Sequence, residues 1–143
     1  MSQENVGVFR RGVDAFNRGD LEAWLATMHP DVSFEPISAP IAGVYQGHTG
    51  IRRFFADNVD SFESFRVHYT DVRDLGNDRL LVIGKLHLRT RGSGIETDLP
   101  TAAISTWREG LQIHWKGLRR SKESPPSRRA LGVGDVARER RDR

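Results

Sequence analysis

The stretch Arg79-Leu80-Leu81-Val82-Ile83-Gly84-Lys85-Leu86-His87-Leu88-Arg89-Thr90 decides the architecture. Successive side chains of a strand point to opposite faces. One row, Leu80, Val82, Gly84, Leu86 and Leu88, is therefore wholly apolar, while the other, Leu81, Ile83, Lys85, His87 and Arg89, turns polar along its length. A strongly curved sheet, covered fully on one face and partly on the other, fits this pattern. Further strands flank it. Phe65 to Leu75 runs into the turn Gly76-Asn77-Asp78, Ile95 follows Arg91-Gly92-Ser93-Gly94 and runs to Arg108, and Glu109-Gly110 leads into Leu111 to Trp115. Three turns thus join four antiparallel strands.

The segment before these strands reads as helices. Val6, Phe9, Val13 and Phe16 form one stripe at helical spacing, and Gly19 ends it. Asp20 is placed to cap a second helix carrying Leu21, Trp24, Leu25 and Met28, with Pro30 expected to end it and His29 at its carbonyl end. Val32 to Glu35 reads as a short strand closed by Pro36, Ile37 to Gly47 as loop, and Thr49 as the cap of a third helix bearing Ile51, Phe54, Phe55, Val59 and Phe62.

The chain has 143 residues, of which 37% are hydrophobic and 29% charged. A chain this long buries about 68–70% of its unfolded surface, enough for one core. No apolar run approaches the roughly 20 residues of a membrane helix. There is no cysteine, so disulfides, thiol catalysis and zinc–cysteine sites are excluded. Met1 leads into polar Ser2-Gln3-Glu4-Asn5, from which a cytoplasmic location is expected. The net charge of +3 is uneven: Met1 to Trp115 holds 12 Lys/Arg and 15 Asp/Glu, whereas residues 116–143 hold 10 against 4. The expected organisation is a folded domain over 1–116 and a basic, disordered tail over 117–143.

The words Ala15-Phe16-Asn17-Arg18-Gly19-Asp20 followed by Trp24, His29-Pro30-Asp31-Val32, Tyr45-Gln46-Gly47 and Trp107-Arg108-Glu109-Gly110 carry a resemblance. Together with the element order they resemble the SnoaL-like, ketosteroid-isomerase-like branch of the nuclear transport factor 2-like superfamily, over about Asn5 to Trp115. The resemblance implies an α+β cone, with a curved antiparallel sheet, three N-terminal helices on its concave face and an apolar pocket between them. It further implies a homodimer through the other face of the sheet. The family includes isomerases, polyketide cyclases, epoxide hydrolases, dehydratases and noncatalytic binders, so fold alone does not name an activity.

Glu35 stands where the isomerase-like relatives carry a general-base carboxylate just before a proline. Desolvation at a cone's mouth would raise its proton affinity toward that role. Those relatives complete an oxyanion hole with a tyrosine on the first helix and a protonated aspartate on the third long strand. Gly12 and Ala103 occupy the matching positions here. No Asp-Arg-Asp set of the limonene-epoxide-hydrolase type is singled out by spacing. His68, His87 and His114 lie on expected strands as candidate acid/base groups or donors, and as cross-strand structural residues in the alternative; Asp71 and Asp98 are similar. Among His29, His48, His68, His87 and His114 no pair has close metal spacing, so neither a metal nor an organic cofactor is expected. Trp24, Phe34, Tyr45, Phe55, Ala103 and Trp107 are the expected ligand contacts, with the Tyr45 hydroxyl available to a carbonyl. Arg18-Gly19-Asp20 reads as a helix stop followed by a cap, and Gly92-Ser93-Gly94 as a turn between strands.

The tail admits two readings. Codons can be chosen for Gly117 to Arg129 whose shifted frame encodes Ala-Tyr-Asp-Ala-Ala-Lys-Lys-Ala-Leu-Arg-Ala-Val-Gly, the helix that resembling sequences place there, so the end is read as frameshifted. Alternatively it is a genuine basic arm with salt-sensitive affinity for acidic surfaces. Nucleic acid ranks last as a partner, because the folded part is net negative. Two functions follow from these residues: acid/base isomerisation, cyclisation or dehydration of a small apolar, carbonyl-bearing metabolite by Glu35, or a noncatalytic ligand-binding or protein-interaction domain of the same fold.

Overall fold

Helix α1, Ser2–Asn17, is followed by the short α2, Leu21–Leu25, and by strand β1, Met28–Glu35. A two-residue strand β2, Tyr45–Gln46, precedes helix α3, Gly47–Ser61. The rest is a meander of β3, Phe62–Gly76, β4, Arg79–Thr90, β5, Glu96–Arg108, and β6, Leu111–Gly117. The computed structural model describes residues 2–37 and 43–118. The expectations for a disordered or frameshifted tail lie outside the described residues from 119 onward. The sheet itself reaches further than the expected boundary at 116, since β6 includes Gly117 and the Leu118 amide donates to the Ala102 carbonyl at 2.8 Å.

The six strands are ordered β2-β1-β6-β5-β4-β3. The expected α+β class holds, but the sheet is mixed, because β1 pairs parallel to β6 while its other neighbours pair antiparallel. A strand formed early in the chain enters beside the last one and runs in the same direction, with the whole meander as its crossover. The second helix is shorter than its periodicity suggests. Pro30 does not end it but lies inside β1, where the pairing with β6 shifts register between Met28 and Ser33, so no ladder donor is lost there. His29 is accordingly a strand residue, its Nδ1 accepting from the Asp31 amide at 3.0 Å. Asp20 caps α2 as expected, accepting from the Ala23 amide at 3.1 Å. Gln46, not Thr49, occupies the cap position of α3, and its side chain makes no capping bond.

The row read from the sequence of β4 divides the faces. Leu80 and Val82 are buried with Phe9 of α1, Ala103 and Trp107 in one core cluster, so their face is the inner, helix-covered one. Lys85, His87 and Arg89 are exposed on the outer face. A second cluster joins Ala15, Trp24, Leu25, Val32, Phe34 and Ile51 at the β1 end. The free edge of β3 is held by Asn17, which donates through Nδ2 to the Val67 carbonyl at 2.8 Å and accepts the Val67 amide at 2.9 Å. Both bonds tie the end of α1 to the sheet rim.

Gly84 marks the bend. Thr70 is unpaired in β3 between Tyr69, opposite Gly84, and Asp71, opposite Ile83, which is a bulge. A Cβ at Gly84 would stand 2.0 Å from the His68 carbonyl oxygen and 2.6 Å from the Tyr69 Cα, both backbone atoms that cannot swing away. Gly7, in α1, has only an Arg11 guanidinium nitrogen within reach, at 3.8 Å. Gly84→Ala should therefore lower unfolding free energy by at least the ~1–3 kcal/mol of an overpacked core, whereas Gly7→Ala should raise it by up to ~1 kcal/mol. Urea unfolding of both variants checks the two opposite signs.

Candidate functional site

Between the helices and the inner face lies a cavity of about 130 Å³. Its walls follow from strand parity. Phe65, Val67 and Tyr69 alternate inward along β3, opposite Leu86 of β4, while Phe34 of β1 and Trp115 of β6 are paired in register and both turn inward. Helices supply Phe9, Val13 and Phe16 from α1, Trp24 from α2 and Phe54 from α3. Trp107 and Trp115 complete the set, so all three tryptophans of the chain line the cavity. The rings brace one another: Phe34 stacks on Trp115 with centroids 5.7 Å apart, and Phe9 meets Tyr69 at 5.2 Å.

Few polar side chains reach this wall. Thr27 donates its hydroxyl to the Trp24 carbonyl at 2.7 Å. Gln112 accepts from the Ser105 hydroxyl at 2.6 Å, a pair buried within the sheet. Thr101 and Tyr69 add hydroxyls, and the Trp107 indole nitrogen is buried without a partner. Among the described residues no carboxylate, imidazole or amine lines the cavity. No group of three histidine or acidic side chains placed to hold a metal occurs among them either.

The expected catalytic groups face the other way. Glu35 does not point into the cavity: Phe34 takes the inward position, so its neighbour turns outward, with Oε1 3.5 Å from His114 Nε2 and 3.8 Å from Lys116 Nζ. His114 therefore also lies outside, opposite Thr106. His68 pairs with exposed Lys85 on the outer face. His87 is hydrogen-bonded through Nδ1 to Oδ1 of Asp98, with Glu96 3.7 Å from its Nε2. Asp71 is engaged by Arg73 at 2.6 Å, and His48 contacts the Met28 carbonyl at 3.1 Å.

Of the expected ligand contacts, Trp24, Phe34 and Trp107 do line the cavity. Tyr45, Phe55 and Ala103 do not. The Tyr45 hydroxyl donates to Asp57 Oδ2 at 3.1 Å, and the Arg53 guanidinium lies 4.5 Å from its ring centroid, which holds it behind Phe54. Phe55 backs the wall against Phe16 and Trp24. Ala103 is fully buried among Leu80, Val82 and Phe9. Gly12, at the first-helix position of the isomerases' tyrosine, does line the cavity, and a Cβ there would meet the Thr27 hydroxyl at 2.9 Å. Tyr69 reads from the sequence as one of several aromatics able to line a pocket but not as a wall donor, and Gln112 is not singled out at all. The period-2 row Phe65, Val67, Tyr69 carries the signal for the first, whereas Gln112 has none, since only its partner Ser105 explains a buried amide.

A curved sheet with three helices closing an aromatic-walled cavity defines an α+β cone. The model of the SnoaL-like domain family matches residues 9–115, and the chain belongs to that family. No protein of curated function matches it. Among solved structures it is similar to TerC co-crystallised with polyporic acid, at 25% identity and TM-score 0.72 over 80% of this chain and 90% of that one. It is also similar to an NTF2-like protein of unknown function from Burkholderia pseudomallei K96243, at 21% identity and TM-score 0.73 over 80% and 89%. A protein of ketosteroid isomerase-like fold from Catenulispora acidiphila in complex with trimethylamine matches at 14% identity and TM-score 0.70 over 78% and 84%. The latter two share the fold alone.

The two tyrosines report on the site. Burial raises the Tyr69 phenol strongly above its ordinary value, and burial followed by the Asp57 hydrogen bond raises Tyr45. The native state thus holds both phenolic protons more tightly than the unfolded chain. Stability should be unaffected by these groups below the ordinary phenol value of about 10 and fall as pH rises through it toward the native values. Spectrophotometric titration should show less tyrosinate in native than in urea-unfolded protein near pH ~10. Tyr69→Phe should remove the larger share of that difference.

Proposed function

We propose that this protein binds a small apolar molecule in the aromatic cavity and does so without acid/base chemistry by Glu35. The observation that carries this reading is the composition of the wall: Trp24, Trp107, Trp115 and Phe34 surround about 130 Å³ of space into which no described carboxylate or imidazole projects. Apolar walls with a few placed polar groups are the usual composition of a ligand site. A proton-moving enzyme of the isomerase type requires its base within hydrogen-bond reach of the ligand. Glu35 instead meets His114 and Lys116 across the sheet, which favours binding over the Glu35-dependent isomerase, cyclase or dehydratase reading. The likeness to TerC adds support for a small-molecule ligand and supplies a first probe, polyporic acid.

With every tryptophan in the wall, intrinsic emission is the natural readout. Polyporic acid should quench it saturably. Glu35→Gln and His114→Asn should bind within about twofold of the parent, whereas Leu86→Trp, which fills the rim, should weaken binding at least about tenfold, the equivalent of one buried aromatic or aliphatic contact. Turnover of any bound ketone that disappears in Glu35→Gln would overturn the reading.

The homodimer expected through the outer face belongs to the same proposal. Leu81 and Ile104 are paired in register there, half-buried, with no helix over them among the described residues. Such apolar positions on an open sheet face suit a self-complementary contact. Sedimentation should give twice the chain mass for the parent and a shift toward the monomer for Ile104→Lys.

A further inference from the structure

The polar groups of the cavity wall are unequal in hydrogen-bonding sense. Gln112 spends its acceptor, Oε1, on the Ser105 hydroxyl at 2.6 Å, which leaves its amide N–H groups without a partner among the described residues. The Trp107 indole nitrogen is a donor only, and it is buried and unpaired. Thr27 has already committed its proton to the Trp24 carbonyl. The Tyr69 hydroxyl, on a ring wedged between Phe9 and Trp115, has no partner among the described residues. Thr101 adds a hydroxyl able to donate or accept, and the Trp107 nitrogen is sealed from the cavity. The unpaired donors left to the wall are thus the Tyr69 O–H and the Gln112 N–H groups, in a setting where an unmet buried polar group is costly.

Size adds a second constraint. An apolar cavity of roughly 150 Å³ holds one benzene ring, and this one is about 130 Å³. Its walls are largely aromatic rings, which offer apolar faces to an aromatic guest. Its lining extends to Pro36 and Ile37, of which Ile37 is exposed, so a larger ligand can project outward there.

We propose that the closed part of the cavity takes a single flat aromatic ring bearing a conjugated carbonyl, with the Tyr69 hydroxyl and the Gln112 amide as the donors that orient it. This rests on the ligand-binding reading above and names the ligand's chemistry and two specificity residues. A carbonyl suits the site because it accepts without donating. A ring bearing only alkyl groups leaves the donors unmet. Burial keeps the Tyr69 phenol protonated, hence a donor, throughout the physiological range.

Acetophenone and ethylbenzene differ by a carbonyl against a methylene on the same ring, so the pair isolates the proposed contact. Calorimetric titration of the full chain with each gives the parent affinities. Tyr69→Phe should weaken acetophenone about threefold to tenfold, the span of a single neutral hydrogen bond, and leave ethylbenzene within about twofold. Ser105→Ala combined with Gln112→Leu should do the same for the second donor without stranding a serine hydroxyl. Binding of both probes with equal responses to both changes would overturn the donor assignment while leaving the cavity reading in place. Failure of both probes to bind the parent would overturn both readings, and binding of ethylbenzene without acetophenone would overturn the donor assignment alone.

Discussion

Phe34 and Trp115 lie 12° from parallel with ring centroids 5.7 Å apart, across the parallel pairing of β1 with β6. This stack fixes the register in which an early strand joins a late one. With Phe34 opposite Trp115, Glu35 must stand opposite Lys116 on the reverse face, because strand side chains alternate. A slip of one residue would exchange the two rows, bringing a carboxylate into the cavity and exposing an aromatic ring. Burial of two large rings against Phe9, Trp24 and Phe54 makes that exchange costly. The same choice of face then runs through Ser105 and Trp107 of β5 to Leu80 and Val82 of β4.

Chemistry is thereby sorted between the faces. The inner face receives rings and a few neutral polar groups. The outer face receives Glu35, His68, His87, Asp98, His114 and Lys116, where ion pairs in contact with water contribute little stability. Gly84 and the adjacent bulge bring β3 close over β4, so that Phe65, Val67 and Tyr69 complete the wall near the sheet edge. The inner face of this SnoaL-like framework thus carries rings and hydroxyl and amide groups, and no described carboxylate or imidazole.

The alternation of Leu80, Val82, Gly84, Leu86 and Leu88 made the curved sheet legible in the sequence, and the stripe of Val6, Phe9, Val13 and Phe16 did the same for α1. Asp20 was legible as a cap because a short acidic side chain before a helical pattern has one good use there. The parallel pairing was not, since nothing local to Val32–Glu35 says which distant strand it will join. That gap also hid the facing of Glu35. A carboxylate before a proline matched a family position, yet which face it takes depends on Trp115, some eighty residues later. Tyr45 misled for a related reason, as its hydroxyl is drawn to Asp57 one helix face away. Trp24, Phe34 and Trp107 do line the cavity, because large rings have few places to go other than the interior.

Nuclear Overhauser spectra of the full chain report on the facing of Phe34 and Glu35, from which the sorting of the two faces follows. With Phe34 inward, cross-peaks are expected between its ring and the Trp115 indole, together with cross-peaks from the Glu35 methylene protons to the His114 imidazole. Cross-peaks from Glu35 to the rings of Trp24 or Phe54, with none to His114, would contradict it and return a carboxylate to the cavity.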